Sequence, residues 1–340
     1  MVRFLAGRLL STLAVLLGVT TLTFGLLHLS GDPLAGLVPP GAPPEQLAAT
    51  RQRLGLDRPL LVQYLRFVTR AVRGDLSESW SQRRPALDAV LDRLPATLTL
   101  TSSAVALALL IGVPLGIAAG VRPRGAINAA ATGAALLGQA VPGFWLGTIL
   151  ILVFAVRLRW LPPSGLDGPR SLLLPAVTLA AYPVATIVRL LRASMIEVMR
   201  RDYVRTARGK GLSAWAVVQG HALRNAALPT LAYVGLQVGF LLGGAVVVEA
   251  VFAYPGVGRL ALQAVADRDL PLVQAFVVVL ASLILLVNMV VDLLARRLDP
   301  RIGDGAPVGS GLQVPDLAGP RGIWSRKTPA PLPGDSGSGA

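Results

Sequence analysis

The chain offers few residues that could do covalent chemistry. Its single Gly-Lys pair, Gly209-Lys210, is followed by Gly211 where a phosphate-binding loop needs Ser or Thr, and no glycine stands five residues before Gly209. His28 and His221 are the only histidines, one in an apolar run and one in a polar connection, too few for a histidine-rich metal site. The absence of cysteine removes disulfides, thiol chemistry and thiolate metal ligands. No serine occupies a Gly-x-Ser-x-Gly elbow. No catalytic residue, no metal site and no cofactor are therefore expected in this chain.

The chemistry that remains is that of docking. The stretch RDYVRTARGKGL, residues 201–212, is dense in charge and glycine although it lies between long hydrophobic runs. Residues 195–207 are expected to form one helix and 212–222 another, joined at Gly209-Lys210-Gly211. The second presents Leu212, Trp215, Val218 and Ala222 near helical spacing. Such a pair suits a membrane surface or a partner's groove. A solvated loop whose arginines only set topology fits the same residues.

The elements around it define the setting. Residues 9–30, 97–121, 126–156, 171–188, 226–248 and 270–291 are uncharged runs at or above the ~18 residues that a membrane-spanning helix needs. One such helix could be buried in a soluble protein of 340 residues; six make an all-α integral membrane protein with six transmembrane helices. The net charge of +14 belongs to arginines beside these runs, where they set topology and meet lipid headgroups, so no nucleic-acid partner is expected. Arg3 and Arg8 ahead of the first run resemble a signal peptide. The run is too long for one and no small-residue cleavage site follows, so residues 1–30 read as a retained first span.

A basic N-terminus inside places residues 31–95 outside the cell membrane, Arg122 and Arg124 inside, residues 157–170 outside, 189–225 inside and 249–269 outside. The tail from Arg296 returns inside, leaving both termini cytoplasmic. In the long outer segment, residues 45–55 and 58–73 carry helical spacing, with Leu61, Tyr64, Leu65 and Val68 on one face, as a small helical cap would have. Pro114 with Gly112 and Gly116, Pro142 with Gly138 and Gly143, Pro175, Pro183 and Gly243-Gly244 read as helix breakers, and Ala129–Ala131 and Ala134-Ala135 as sites of close helix approach. Residues 301–340, rich in Gly, Pro and Ser, are expected to be disordered. Kinked, closely packed helices suit a channel or transporter.

The energy source can be narrowed from charge placement. A gradient-driven carrier would keep ionisable groups at mid-span. Only His28 lies within a run, while Glu249 and Asp292 stand at span ends, where interfacial solvation accounts for them. A second protein supplying the energy fits better than a proton- or sodium-coupled carrier acting alone, and a non-transporting scaffold or receptor subunit is the other alternative.

At this point the residues resemble a family. DYVRTARGKGL followed by HALRNAALPT (residues 221–230) is similar to the cytoplasmic signature loop of binding-protein-dependent ABC importer permeases. Ala207, Gly211 and Leu228-Pro229 take the matching positions. Arg205-Thr206-Ala207 replaces the usual acid-Ala-Ala, and the interval from Gly211 to Leu228 is long. Both departures are those of the dipeptide/oligopeptide/nickel branch. SGDPL (30–34), LGLDRPLLVQYLRF (54–67), RGDLSES (73–79), RLPATLTL (93–100), VVEAVFAYPGVGRL (247–260) and DRDLPLVQA (267–275) agree with that branch, and the long segment after the first span resembles its B-type permease.

The resemblance implies a type I ABC importer transmembrane domain over residues 96–300, with a coupling loop at 192–227, in the plasma or inner membrane of a prokaryote. Its implied partners are a second permease in a heterodimer, two ATP-binding subunits holding ATP and Mg, and an extracytoplasmic solute-binding protein. Peptides are the implied cargo; nickel, glutathione or another small solute is the alternative. Arg205, Thr206, Ala207, Arg208, Gly209, Lys210, Gly211, Leu212 and Trp215 would couple to the ATPase, with His221, Asn225, Leu228 and Pro229 ending the loop. Glu249, Phe252, Pro255, Gly256 and Gly258 would shape an outer gate turn.

Overall fold

A computed structural model of the chain describes residues 2–29, 43–166 and 168–298. The tail expected to be disordered and the SGDPL stretch lie outside these residues, as do the side chains of His28 and Asp292. Helices account for the six apolar runs. They are α1 (Val2–Leu29), α4 (Ala86–Val121), the pair α5 (Ala126–Ala140) and α6 (Gly143–Leu150), α7 (Pro169–Val198), α11 (Leu228–Val251) and α13 (Leu270–Leu298). Between them lie α2 (Pro44–Leu54), α3 (Leu60–Val72), α8 (Asp202–Gly209), α9 (Ala214–Val217), α10 (Leu223–Ala226) and α12 (Val257–Ala266). Among the described residues, α4, α7, α11 and α13 are long and apolar enough to cross a membrane. The α5–α6 pair makes a fifth crossing if it is one span, and α1 is apolar over Leu10–Leu22.

The third run is not one straight helix. It breaks at Val141-Pro142, both residues in extended backbone, and α5 meets residues 143–157 at 106°. Past Leu150 the segment widens into π-helical turns through Arg157. Proline does not break the other spans. Helix α4 runs unbroken through Pro95 and Pro114, and α7 through Pro175 and Pro183.

Gly112 and Gly116, read as breakers, belong to a packing stripe instead. With Ala104, Ala108 and Gly120 they fall every fourth residue on the buried face of α4. A Cβ on Gly112 would come within 2.8 Å of Ile187, one on Gly116 within 3.0 Å of Leu191, and one on Gly120 within 2.5 Å of Met195. Ile187, Leu191 and Met195 recur every fourth residue on α7, so three large side chains seat where three glycines leave room. This small-residue packing brings backbones together where no water is available to drive association.

Helix α4 also ties the two ends of the bundle together. Its first turns (Ala86, Ala89, Val90) pack with Leu76, Val257, Leu260 and Leu272. Its middle (Leu100, Ala104) packs with Leu174, Leu179, Leu241, Phe252 and Tyr254. Its last turns (Val113, Ile117, Val121) pack with Leu191, Met195, Val218, Ala222 and Ala226. The face of α3 differs from that read from spacing. Phe67 and Ala71 pack on the first cluster and Tyr64 packs edge-on against Phe24, while Leu61 and Leu65 are exposed.

Candidate functional site

The two regions singled out by sequence sit at opposite ends of α4. At the end carrying α12, the connection from α11 turns sharply. Ala253 adopts a left-handed backbone conformation, Tyr254 N–H donates to Glu249 O (2.8 Å), and the Arg259 guanidinium donates to Ala253 O (2.5 Å). Phe252 and Tyr254 are fully buried beneath it.

Glu249 is the centre of this turn, and it is not solvated as its place at a span end suggested. It has no exposed surface. Its carboxylate accepts from Thr97 Oγ1 (2.5 Å), Gly258 N–H (2.7 Å) and Arg259 N–H (3.1 Å). Val257 N–H donates to Thr97 Oγ1 (2.9 Å). A helix start leaves its first N–H groups without partners in the helix. Here the first three of α12 are met by Glu249 from α11 and Thr97 from α4, so one carboxylate fastens three helices. The glycines are required by closeness: a Cβ on Gly256 would fall inside the Glu249 carboxylate, and one on Gly258 within 2.5 Å of the Val246 backbone. Pro255 stands at the bend itself.

A second buried carboxylate lies in the connection from α12 to α13. Asp269, almost fully buried, caps α13 through Leu272 N–H (3.1 Å) and accepts from Ser79 Oγ (2.6 Å), Ser81 N–H (2.9 Å) and Ser81 Oγ (2.7 Å). This pins the segment before α4 to the last span. The residues of that segment, with α2 and α3, border an open cleft of about 1140 Å³ that includes Arg53, Arg58, Arg66, Arg70 and Arg83. Sequence reasoning did not find Thr97, Ser79 or Asp269. The Asp-Leu-Pro order at 269–271 is a helix-start signal that could have marked Asp269; nothing local marks Thr97.

At the other end, the loop folds differently from the two helices expected. Residues 195–198 belong to α7, which therefore also takes in Arg189 and Arg192; the chain bends at Met199–Arg201 and α8 begins at Asp202. Helix α8 closes in a left-handed cap. Gly211, at φ +83°, donates its N–H to Arg208 O (2.9 Å), and Leu212 N–H reaches Ala207 O (3.4 Å). That conformation favours glycine, which lacks the Cβ that strains it. Gly209 stays helical. Ser213 then caps α9 through Ala216 N–H (3.3 Å), and wide turns at Val218–Ala222 lead into α10.

Ala207 is buried with Val204 and Val217, so it holds α8 to α9 and offers no surface. Leu212 is 42% exposed and Trp215 67%. Arg205, Thr206, Arg208 and Lys210 are exposed on the preceding turns, and Arg205 stands 3.7 Å from Asp202. His221 and Asn225 are exposed; Asn225 donates to Tyr203 Oη (3.1 Å), joining α10 to α8. Leu228 is exposed and Pro229 opens α11, where a missing N–H is tolerated. A tryptophan and a leucine standing out of a basic rim match the anchor-and-rim pattern of protein interfaces. Among the described residues no cluster of His, Asp or Glu could hold a metal.

The geometry is that of a membrane helix bundle braced at one end and presenting an anchored knob at the other. The chain belongs to the family described as binding-protein-dependent transport system inner membrane component, whose domain it matches over residues 112–304, with the family's N-terminal domain at residues 1–101. It is thus a multi-pass membrane subunit of an ABC transporter complex, and a transport component rather than an enzyme. It is 41% identical over 303 residues to the glutathione transport system permease protein GsiC of Salmonella paratyphi A, covering 89% of this chain and 99% of that one. It is 40% identical over 332 residues to the di/tripeptide transport system permease protein DppB of Pseudomonas aeruginosa, with the same coverage. Its fold is similar to that of the inward-facing MetNI methionine ABC transporter, at TM-score 0.50 and 19% identity, over 62% of this chain and 95% of that one.

Proposed function

We propose that the chain forms half of the translocation path of an ATP-driven, binding-protein-dependent importer of di- and oligopeptides. The observation that carries this reading is the end-to-end identity of about two residues in five with permeases named for di/tripeptides and for glutathione, itself a tripeptide. Glutathione is the second reading, favoured by the same observation.

In this reading a sister permease completes the path, two further subunits bind and hydrolyse ATP, and an extracytoplasmic binding protein delivers the cargo. Both termini and α8–α10 face the cytoplasm of a prokaryotic cell. Leu212 and Trp215 seat in the ATPase, so that ATP binding draws the two permeases' loops together and turns the cavity outward. Hydrolysis then resets it inward. The braced turn at Glu249 carries this motion to the outer gate without yielding.

Proteoliposomes holding the four-subunit importer and its binding protein provide the test. Uptake of labelled trialanine is expected with internal ATP and Mg and not with a proton gradient alone. Uptake by this chain alone on a proton gradient would replace the reading with a secondary carrier. For coupling, cysteine at Leu212 should crosslink to the ATPase subunit and cysteine at Arg122 should not, on a background free of native cysteine; the reverse pattern refutes the assignment.

A further inference from the structure

Because α7 runs on to Val198, Arg189 lies inside a helix of 30 residues, nine residues before its end, and not in a solvated connection. Such a helix is about 45 Å long against a hydrocarbon core of about 30 Å; centred on that core, it places position 189 inside the membrane, about 8 Å from the midplane. The side chain reaches deeper still, because helical side chains lean toward the N-terminus. Its Nη1 donates to Gln139 Oε1 (3.0 Å), Gln139 Nε2 donates to Thr186 Oγ1 (2.9 Å), and Thr186 Oγ1 donates to Tyr182 O (3.2 Å). Tyr182 and Thr186 flank the midpoint of α7, and Gln139 lies beside the break between α5 and α6, itself in mid-span. The guanidinium is therefore oriented by a relay of amide and hydroxyl that leads from α7 toward the break between α5 and α6.

Three features separate this group from the other arginines. It is exposed on a helix otherwise largely buried, and Tyr182, seven residues earlier on the same face, is 51% exposed. No carboxylate among the described residues pairs with it, and Gln139 takes only one of its five N–H groups. On α11, Tyr233 stands beside Thr186 and near Arg189, its buried hydroxyl without a completed hydrogen bond. Arg192, by contrast, is spent on Asn128 near the start of α5. An arginine at membrane depth, oriented but without a counter-charge, marks a place where an anion passes. Broken helices at mid-span are where transporters place such sites.

We propose that Arg189, positioned by Gln139 and Thr186 and flanked by Tyr182 and Tyr233, receives the carboxylate of the cargo as it crosses. This inference rests on the peptide reading above. The planar guanidinium can pair with a carboxylate through two parallel N–H groups. The site would thus select peptides with a free carboxylate over their amides, after the binding protein has released them.

The test uses the complete importer in proteoliposomes, with trialanine and its C-terminal amide, each first shown by calorimetry to load the binding protein. Arg189→Gln should lower ATP-driven trialanine uptake by about tenfold or more, the effect of removing a hydrogen-bonded charge from a charged ligand. Amide uptake should change less than about twofold, and stimulation of ATPase by loaded binding protein should persist. Arg189→Lys should recover part of the acid's uptake. Gln139→Leu, which leaves the charge but frees its orientation, should narrow the acid-over-amide preference. Equal loss for acid and amide, or no loss, overturns the proposal while leaving the peptide reading intact. Separation of the two permeases on size exclusion in Arg189→Gln would instead assign Arg189 to an ion pair across the heterodimer and also overturn it. If the unaltered importer takes up neither peptide with ATP, the peptide reading itself fails and this inference falls with it.

Discussion

The two ends of α4 solve opposite problems. At the α12 end, polar groups are consumed internally: Glu249 takes two backbone N–H groups and a hydroxyl, Asp269 takes two backbone N–H groups and two hydroxyls, and added Cβ atoms at Gly256 or Gly258 would collide with neighbours. At the α8 end, Gly209 and Gly211 have open space around them, and the largest side chain of the loop, Trp215, stands out. One end spends its polar and small residues on keeping its shape, and the other leaves its apolar side chains, Leu212 and Trp215, in the open. The difference teaches that glycine has two meanings here: excluded volume in the turn, and backbone sign in the loop.

Mutations should separate these meanings, with the largest effects at the braced end. Glu249→Ala leaves two buried donors, Thr97 Oγ1 and Gly258 N–H, and the part-buried Arg259 N–H without their acceptor, at about 1–3 kcal/mol for each buried one. Little folded protein should survive detergent extraction, and a normal thermal midpoint would show that the turn is not braced by this carboxylate. Gly256→Val should be nearly as damaging, because its side chain must displace the carboxylate; assembly should suffer with transport, rather than transport alone. Asp269→Ala should follow, at about 2–3 kcal/mol, since Ser81 can turn partly to solvent. Scanning calorimetry of the purified permease pair would rank the three.

The open end should respond more weakly in stability and more strongly in function. Gly211→Ala places a Cβ at φ +83° and should cost about 1 kcal/mol, read as a small drop in thermal midpoint. Trp215→Ala should change stability by less than about 0.5 kcal/mol, because an exposed ring contributes little to its own fold. It should nevertheless sever ATPase stimulation from the permease. Full stimulation in Trp215→Ala would remove Trp215 from the coupling surface.

Much of this was legible in the residues. Six apolar runs and the basic loop with its glycine-bearing joint follow from local composition and spacing, because each is decided within one helix or one turn. Spacing misled where the same residue type serves two ends: Gly112 and Gly116 read as breakers, but seat Ile187 and Leu191, which lie more than 70 residues away. Leu61 and Leu65 share a helical face by spacing, yet Phe67 and Ala71 are the ones packed, because the neighbour and not the period chooses the buried side. Glu249 beside a span end reads as solvated until Thr97 and α12 close over it.

By itself, then, the sequence determined that this is a membrane helix bundle with one cytoplasm-type signature loop and one Gly-Pro turn, since hydrophobic length and turn chemistry are local properties. Only the tertiary structure decided which charges are buried and what they hold, and that Arg189 belongs to α7 and is hydrogen-bonded to Gln139 of α5. Desolvation and hydrogen bonding depend on atoms brought in from distant parts of the chain, and no spacing along one helix records them.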